Sequence, residues 1–195
     1  QHNLFATLGG GWNKYDGDHY GYVTWVKKPV DELKPQHLYY DNNTKKVDGN
    51  VYTKATYEFT KGVSAFADLQ YRYVHIQMTG PADASSAKRK FSYDVNQTFK
   101  FFNPKFGVNY ELSTSNRLYA SYAITHREPV RTNFEHNIDA QIEMPRAERL
   151  NDLEAGYEYR NKHFSAGVNF YYMNYKDQLV PTGEIKLDKA VTRNF

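Results

Sequence analysis

Apolar and polar side chains alternate with a period of two along most of this chain. The clearest stretch is 63–77, where Val63, Ala65, Ala67, Leu69, Tyr71 and Tyr73 share one face and Ser64, Asp68, Gln70 and Arg72 the other, with only Phe66 out of place. A period of two is that of a β-strand, whose successive side chains point to opposite sides of the pleat. Strands of soluble domains usually stop after about 5 or 6 residues, whereas a tilted transmembrane strand needs about 9 to 11. The length therefore predicts strands that cross a bilayer.

The same scheme recurs and predicts about eight strands. In 4–12 the apolar or small set is Leu4, Ala6, Leu8, Gly10 and Trp12; 20–28 is the weakest, with Tyr22, Val23, Trp25 and Val26 on both faces. Residues 51–59 set Val51, Thr53, Ala55, Tyr57 and Phe59 against Tyr52, Lys54, Thr56 and Glu58. In the second half Phe102, Phe106, Val108, Tyr110 and Leu112 form one set, and Leu118, Ala120, Tyr122 and Ile124 another. Leu153, Ala155, Tyr157 and Tyr159 follow, then Phe164, Ala166, Val168, Phe170 and Tyr172. Residues 13–18, 60–62, 113–115 and 161–162 read as tight turns, and 29–47, 79–96 and 127–148 as long polar segments. Short and long connections alternate, as in an outer-membrane barrel with brief periplasmic turns and long outside loops. The fold class expected is all-β: an antiparallel up-and-down transmembrane β-barrel, present in part, with charged residues of the polar faces lining a water-filled or plugged lumen.

Composition changes this picture little. A mean hydropathy of −0.80 leaves no run of roughly 18 apolar residues for a membrane helix, but window averages miss barrels because lumen-facing residues cancel lipid-facing ones. With 18 Tyr and 12 Phe against 2 Trp, amphipathic rings are plentiful for the headgroup level. The 25 basic and 22 acidic residues give a net charge of +3, and no basic stripe points to nucleic acid. Cysteine is absent, which removes disulfides, thiolate metal sites and cysteine nucleophiles. The start of the chain already reads as a strand, with no signal-peptide pattern. A soluble β-sandwich also alternates in and out, but strand length and alternating loop length speak against it.

The short motifs carry little chemistry. Asp16-Gly17-Asp18-His19-Tyr20-Gly21 has carboxylates at the first and third positions of a calcium loop, but Tyr20 and Lys27 stand where oxygen ligands are needed, so it reads as a turn. Gly9-Gly10-Gly11 lacks the Lys and hydroxyl residue of a phosphate-binding loop and reads as a bend in a strand. Asn42-Asn43-Thr44 and Asn96-Gln97-Thr98 match a glycosylation acceptor and read as ordinary loop residues. His126, Glu128, Glu135, His136 and Asp139 lie in one loop without the spacing of a helical His pair, and read as a solvated polar segment rather than a metal site. No Ser, His and Asp set suggests a nucleophile, and no cofactor is expected. The chain is not read as an enzyme.

The stretch 101–110 (Phe-Phe-Asn-Pro-Lys-Phe-Gly-Val-Asn-Tyr), followed by Leu118-Tyr119-Ala120-Ser121-Tyr122 and Arg127-Glu128-Pro129, resembles the barrel of TonB-dependent outer-membrane receptors. So do Pro145 with Arg149-Leu150-Asn151-Asp152-Leu153-Glu154-Ala155-Gly156-Tyr157, and Tyr175-Lys176-Asp177-Gln178-Leu179-Val180. The likeness spans about residues 101–183, and the earlier half more loosely; it is nearest to siderophore and cobalamin-type receptors of Bacteroidetes. The resemblance implies a bacterial outer-membrane location and outer-membrane lipid around the wall. It further implies import of a scarce metal chelate or other small solute, driven by TonB through a plug domain. Neither the plug nor the TonB-contacting segment is recognised in 1–195, and Lys189 and Arg193 interrupt the alternation of a closing strand. The expectation is a barrel portion of a larger receptor. Arg127, Arg131 and His136 are the candidate ligand contacts, because cationic loop residues suit anionic chelates. Two other readings are a self-contained eight-stranded barrel serving as anchor or adhesin, and a secreted β-rich binding module released without detergent.

Overall fold

Seven antiparallel strands follow one another in chain order in one meandering sheet. They are β1 (Leu4–Tyr22), β2 (Leu38–Thr60), β3 (Val63–Pro81), β4 (Ser92–Ser113), β5 (Asn116–Arg127), β6 (Glu148–Arg160) and β7 (Ser165–Lys176). A helix, α1 (Arg131–Asp139), lies between β5 and β6, and β8 (Leu179–Lys186) pairs with β9 (Lys189–Asn194) in a separate hairpin. The computed structural model describes residues 4–25, 27–28, 38–81, 92–139, 142–186 and 189–195.

The register gathers the predicted apolar sets onto one face. One row across all seven strands reads Ala6, Ala55, Ala67, Phe106, Tyr122, Leu153 and Tyr172; the next reads Leu4, Tyr57, Ala65, Val108, Ala120, Ala155 and Phe170. This face is uncovered by protein: Leu8 is 78% exposed and Val168 73%. A continuous apolar face of this extent is stable against hydrocarbon, not water. The opposite face carries Thr7, Lys54, Asp68 and Lys105 on a single row. Phe66 belongs to that inner face, where its ring lies over the bare backbone of Gly107 on β4 and Lys54 Nζ sits 5.7 Å from its centre. A Cβ at Gly107 would meet the ring at 2.4 Å, so the break in the alternation at Phe66 is an aromatic ring filling a glycine gap on the neighbouring strand.

Leu69 pairs with Thr53 and Pro104 on the outward face, seven residues beyond Gly62 of the β2–β3 turn. Leu69→Arg should cost about 2 to 4 kcal/mol, as for a guanidinium forced to the bilayer midplane. Urea titrations of folding into lipid vesicles measure this, and an unchanged midpoint would mean that this face does not meet lipid.

Several turns fall where expected. Gly62, at φ +83°, closes the β2–β3 turn and accepts a 2.7 Å hydrogen bond from the Glu111 N–H, a conformation that favours glycine. The segment 13–18 is not a turn: β1 runs unbroken from Leu4 to Tyr22, absorbing the first part of the expected strand 20–28. Asn42-Asn43-Thr44 and Asn96-Gln97-Thr98 are likewise strand, in β2 and β4. The physical reason is length. Strands β1 to β4 hold 19, 23, 19 and 22 residues, about twice what crosses a bilayer, and their outer halves pair in water, where polar residues on an outward face cost nothing.

In those outer halves the faces exchange character. Past Tyr71 and Tyr73 the outward side of β3 becomes His75, Gln77 and Thr79, while the inward side changes from Asp68, Gln70 and Arg72 to Val74, Ile76 and Met78. These three join Tyr93, Val95 and Phe101 of β4 in a buried core closed from above by Phe134 of α1. The inner wall is thus apolar at the outside end, where the polar face of the strand was expected to continue along the lumen. The β4–β5 ladder begins only at Lys105 and Ala123. Pro104, with no N–H to donate, stands at that limit.

Candidate functional site

Where β5 ends, the segment Arg127-Glu128-Pro129 turns the chain inward. Glu128, only 8% exposed, meets Arg72 and Lys46: Arg72 Nη1 donates to its Oε2 at 2.9 Å and Lys46 Nζ to its Oε1 at 2.8 Å. Arg72 also grips Asp48 through Nε at 3.0 Å and Nη2 at 2.6 Å. One guanidinium therefore bridges two carboxylates on the inner face, in the planar two-pronged geometry that only arginine offers. Pro129, the next residue, is fully buried.

The helix that follows is held by polar contacts at its start and apolar ones in its middle. Arg131 donates to Thr44 Oγ1 at 3.0 Å and Asn42 Oδ1 at 2.8 Å, and its guanidinium lies 5.4 Å from the centre of the Tyr93 ring. Phe134 enters the core with no exposed surface. Asn137 donates to the Glu143 carbonyl at 2.7 Å, tying the far end of α1 to the return segment. Glu148, at the start of β6, pairs with Arg127 at 2.8 Å and accepts from the Leu179 N–H at 2.6 Å, which ties the β8–β9 hairpin to the sheet. Arg127-Glu128 and Glu148 thus bracket α1 as a cap over the inner wall.

The expected solvated loop is therefore a packed one. His126 stacks on Phe101 with rings 5.4 Å apart, and its backbone N–H and Nδ1 reach Asn103 Oδ1 at 3.1 and 2.9 Å. Among the described residues no three His, Asp or Glu side chains come together as metal ligands. Of the candidate contacts, Arg127 keeps 68% of its side chain exposed while paired to Glu148, and Arg131 is engaged by β2 and Tyr93. His136 falls in α1, with its side chain outside the described residues. Sequence reading missed Arg72, Asp48 and Lys46 as partners of this loop. The available signal was an arginine and an aspartate on the lumen-facing side of neighbouring strands.

Protonation tunes the cap. Burial alone would raise the Glu128 carboxyl, but hydrogen bonds from Lys46, its own backbone and Arg72, with the Lys46 charge, hold it below the usual carboxylate range. The contribution of this carboxylate is complete above its unfolded value and is lost as pH falls through the lower folded one. The protection of α1 against hydrogen exchange, corrected for the intrinsic pH dependence of the exchange rate, should be full at neutral pH and fall in acid, as the Glu128 carboxylate protonates below the usual carboxylate range. Glu128→Gln should remove that acid step; an α1 equally protected at pH 3 and pH 7 would contradict the assignment.

The sequence matches the family model described as TonB dependent receptor-like, beta-barrel, over residues 1–188. No curated protein sequence matches the chain. Among solved structures it is similar to the copper transporter OprC, with 14% identity over 99% of this chain and 30% of that one at a TM-score of 0.66. It is also similar to the ferric-catecholate import receptor Fiu of E. coli K12, with 13% identity, 90% and 28% coverage and a TM-score of 0.64. A third is the ferric yersiniabactin uptake receptor FyuA of Yersinia pestis, with 10% identity, 91% and 30% coverage and a TM-score of 0.56. The chain spans roughly a third or less of each of these three. These likenesses show the fold, and the family model shows the lineage, one of outer-membrane transport proteins rather than enzymes. With its lipid-facing band, its up-and-down strands and this match along nearly its whole length, the chain belongs to the TonB-dependent receptor β-barrel family of the bacterial outer membrane.

Proposed function

We propose that this chain forms part of the wall and outside cap of a receptor that binds a scarce metal chelate, such as an iron-siderophore, and imports it with energy transmitted by TonB. In this reading it is the barrel portion of a larger protein, and a plug domain elsewhere in that protein fills the lumen and contacts TonB. The observation that carries it is the cap: Glu128, Arg72 and Arg131 seat α1 over the inner wall at the outside end, where an incoming solute first meets the protein. The sheet edges support a larger barrel. Among the described residues β1 and β7 do not pair with each other, and a bilayer does not tolerate open edges. Ligand contact falls to the cationic residues of the cap, with Arg127 the most accessible, Arg131 positioning the helix and His136 carried on it.

Uptake tests the reading directly. Deleting the gene should abolish accumulation of one chelate from a panel of radiolabelled ferric siderophores, haem, cobalamin and copper complexes, and a protonophore should reproduce the loss in the parent strain. Unchanged uptake of every member of the panel would refute it.

A further inference from the structure

Immediately outside the lipid-facing band, the outward face of the sheet turns basic. The register places Trp12, Gly49, Tyr73 and Lys100 on one row and Lys14, Val47, His75 and Thr98 on the next. Lys14 and Lys100 are exposed, and among the described residues neither lies within ion-pair distance of a carboxylate. His75 between them is fixed by a 2.9 Å hydrogen bond to the Thr98 hydroxyl. The acidic groups of this face lie further out. Asp16 is 3.7 Å from Lys45, Asn43 donates to Asp16 and Asp18 at 2.9 and 2.8 Å, and Asp94 shares the row of Thr79. With strands about 4.8 Å apart, the backbones of Lys14 and Lys100 stand about 16 Å from each other, with Tyr73 and His75 between.

We propose that Lys14, His75 and Lys100 bind the phosphate groups of an outer-leaflet lipid headgroup whose acyl chains lie on the apolar band below. Charge and continuity both select this occupant. Aromatic rings such as Trp12 and Tyr73 settle at the headgroup level, and cationic side chains on their own row, Lys100, and on the next, Lys14, meet the anionic layer of the membrane. The same strands continue downward into Leu8, Val51, Leu69 and Phe102, so a lipid seated on the lysines has its hydrocarbon against an uncovered apolar wall. The patch faces away from the lumen. It therefore rests on the outer-membrane placement alone and stands or falls independently of the transported solute.

The test uses the protein extracted from outer membranes in mild detergent, as wild type, as the Lys14→Gln/Lys100→Gln double variant, and as Lys54→Gln, a lysine of the inner face. The probes are bisphosphorylated lipid A, dephosphorylated lipid A and inorganic phosphate, read by native mass spectrometry. The double variant should bind bisphosphorylated lipid A roughly thirtyfold more weakly than wild type, and the difference should shrink as salt is raised. Lys54→Gln should bind as wild type does, and dephosphorylated lipid A should not discriminate between wild type and the double variant. Equal retention of the phosphorylated lipid by wild type and double variant overturns the proposal. Displacement of that lipid by inorganic phosphate overturns it too, since the patch would then be a general anion site.

Discussion

Arg72→Ala should be among the most damaging single substitutions in the chain, costing about 3 kcal/mol. The loss comes less from the bonds removed than from what is left behind: Asp48 and Glu128, with side chains 12% and 9% exposed, would share an inner wall with Lys46 as the one cation left in ion-pair range among the described residues. Lys46 is 2.8 Å from Glu128 but 3.9 Å from Asp48, so it compensates one carboxylate and hardly the other. Because Arg72 is a quarter exposed, solvent entering the gap keeps the cost below that of a fully buried ion. Arg72→Lys should recover only part of the loss, since an ammonium cannot chelate two carboxylates in one plane. Removing the stranded charges as well, in Arg72→Met/Asp48→Asn/Glu128→Gln, should be milder than the single change. Hydrogen exchange of α1, read alongside urea titration, separates these cases. A single Arg72→Ala variant with parental protection would show that the knot carries no weight.

The contrast between what the chain announced and what it hid follows from these same residues. Lipid on one side and a lumen on the other sustain a two-residue rhythm over a membrane-crossing length, so Val63 to Tyr73 and its counterparts declare both face and depth. Phe66 broke the rhythm for a reason written on another strand, at Gly107, and pairing partners are not visible within one strand. The outer halves of β1 to β4 were harder. Around Asp16-Gly17-Asp18 and Asn42-Asn43-Thr44 both faces of the strand meet polar surroundings or the edge of a small core, so turn-forming residue types outweigh a weak alternation. Val74, Ile76 and Met78 continued the period of two, but on the opposite face from Tyr71 and Tyr73, and only the docked helix explains the exchange. That helix was illegible because its nine residues offer Phe134 and Ile138 alone as an apolar pair, too few to establish a period of 3.6. The candidate site was half legible. Arg127 and Arg131 were singled out by charge, yet their partners Glu148, Asn42 and Thr44 lie up to 89 residues away in sequence.

Phe134 is the position where that helix is most exposed to failure. It has no accessible surface and closes a core of Val74, Ile76, Met78, Tyr93, Val95 and Phe101, with Phe99, Ile138 and Ala147 at its margin. Phe134→Ala should cost about 3 to 5 kcal/mol, from lost transfer energy plus the cavity left under α1. The cost should appear locally rather than globally. A nine-residue helix does not persist in water without its packed face, whereas the strands below Tyr73 are held by lipid and by their ladders. Proteolysis and hydrogen exchange should therefore show α1 released while the melting of the barrel stays at its parental temperature. Phe134→Leu, closer in volume, should keep the helix docked at a cost under about 1.5 kcal/mol. If Phe134→Ala instead lowers the melting of the whole barrel and leaves α1 no more labile than the strands, cap and wall form one cooperative unit. Under the proposed function, a solute binding at the cap would then have to deform the wall, whereas a separately melting α1 could respond to ligand without disturbing the membrane-spanning strands.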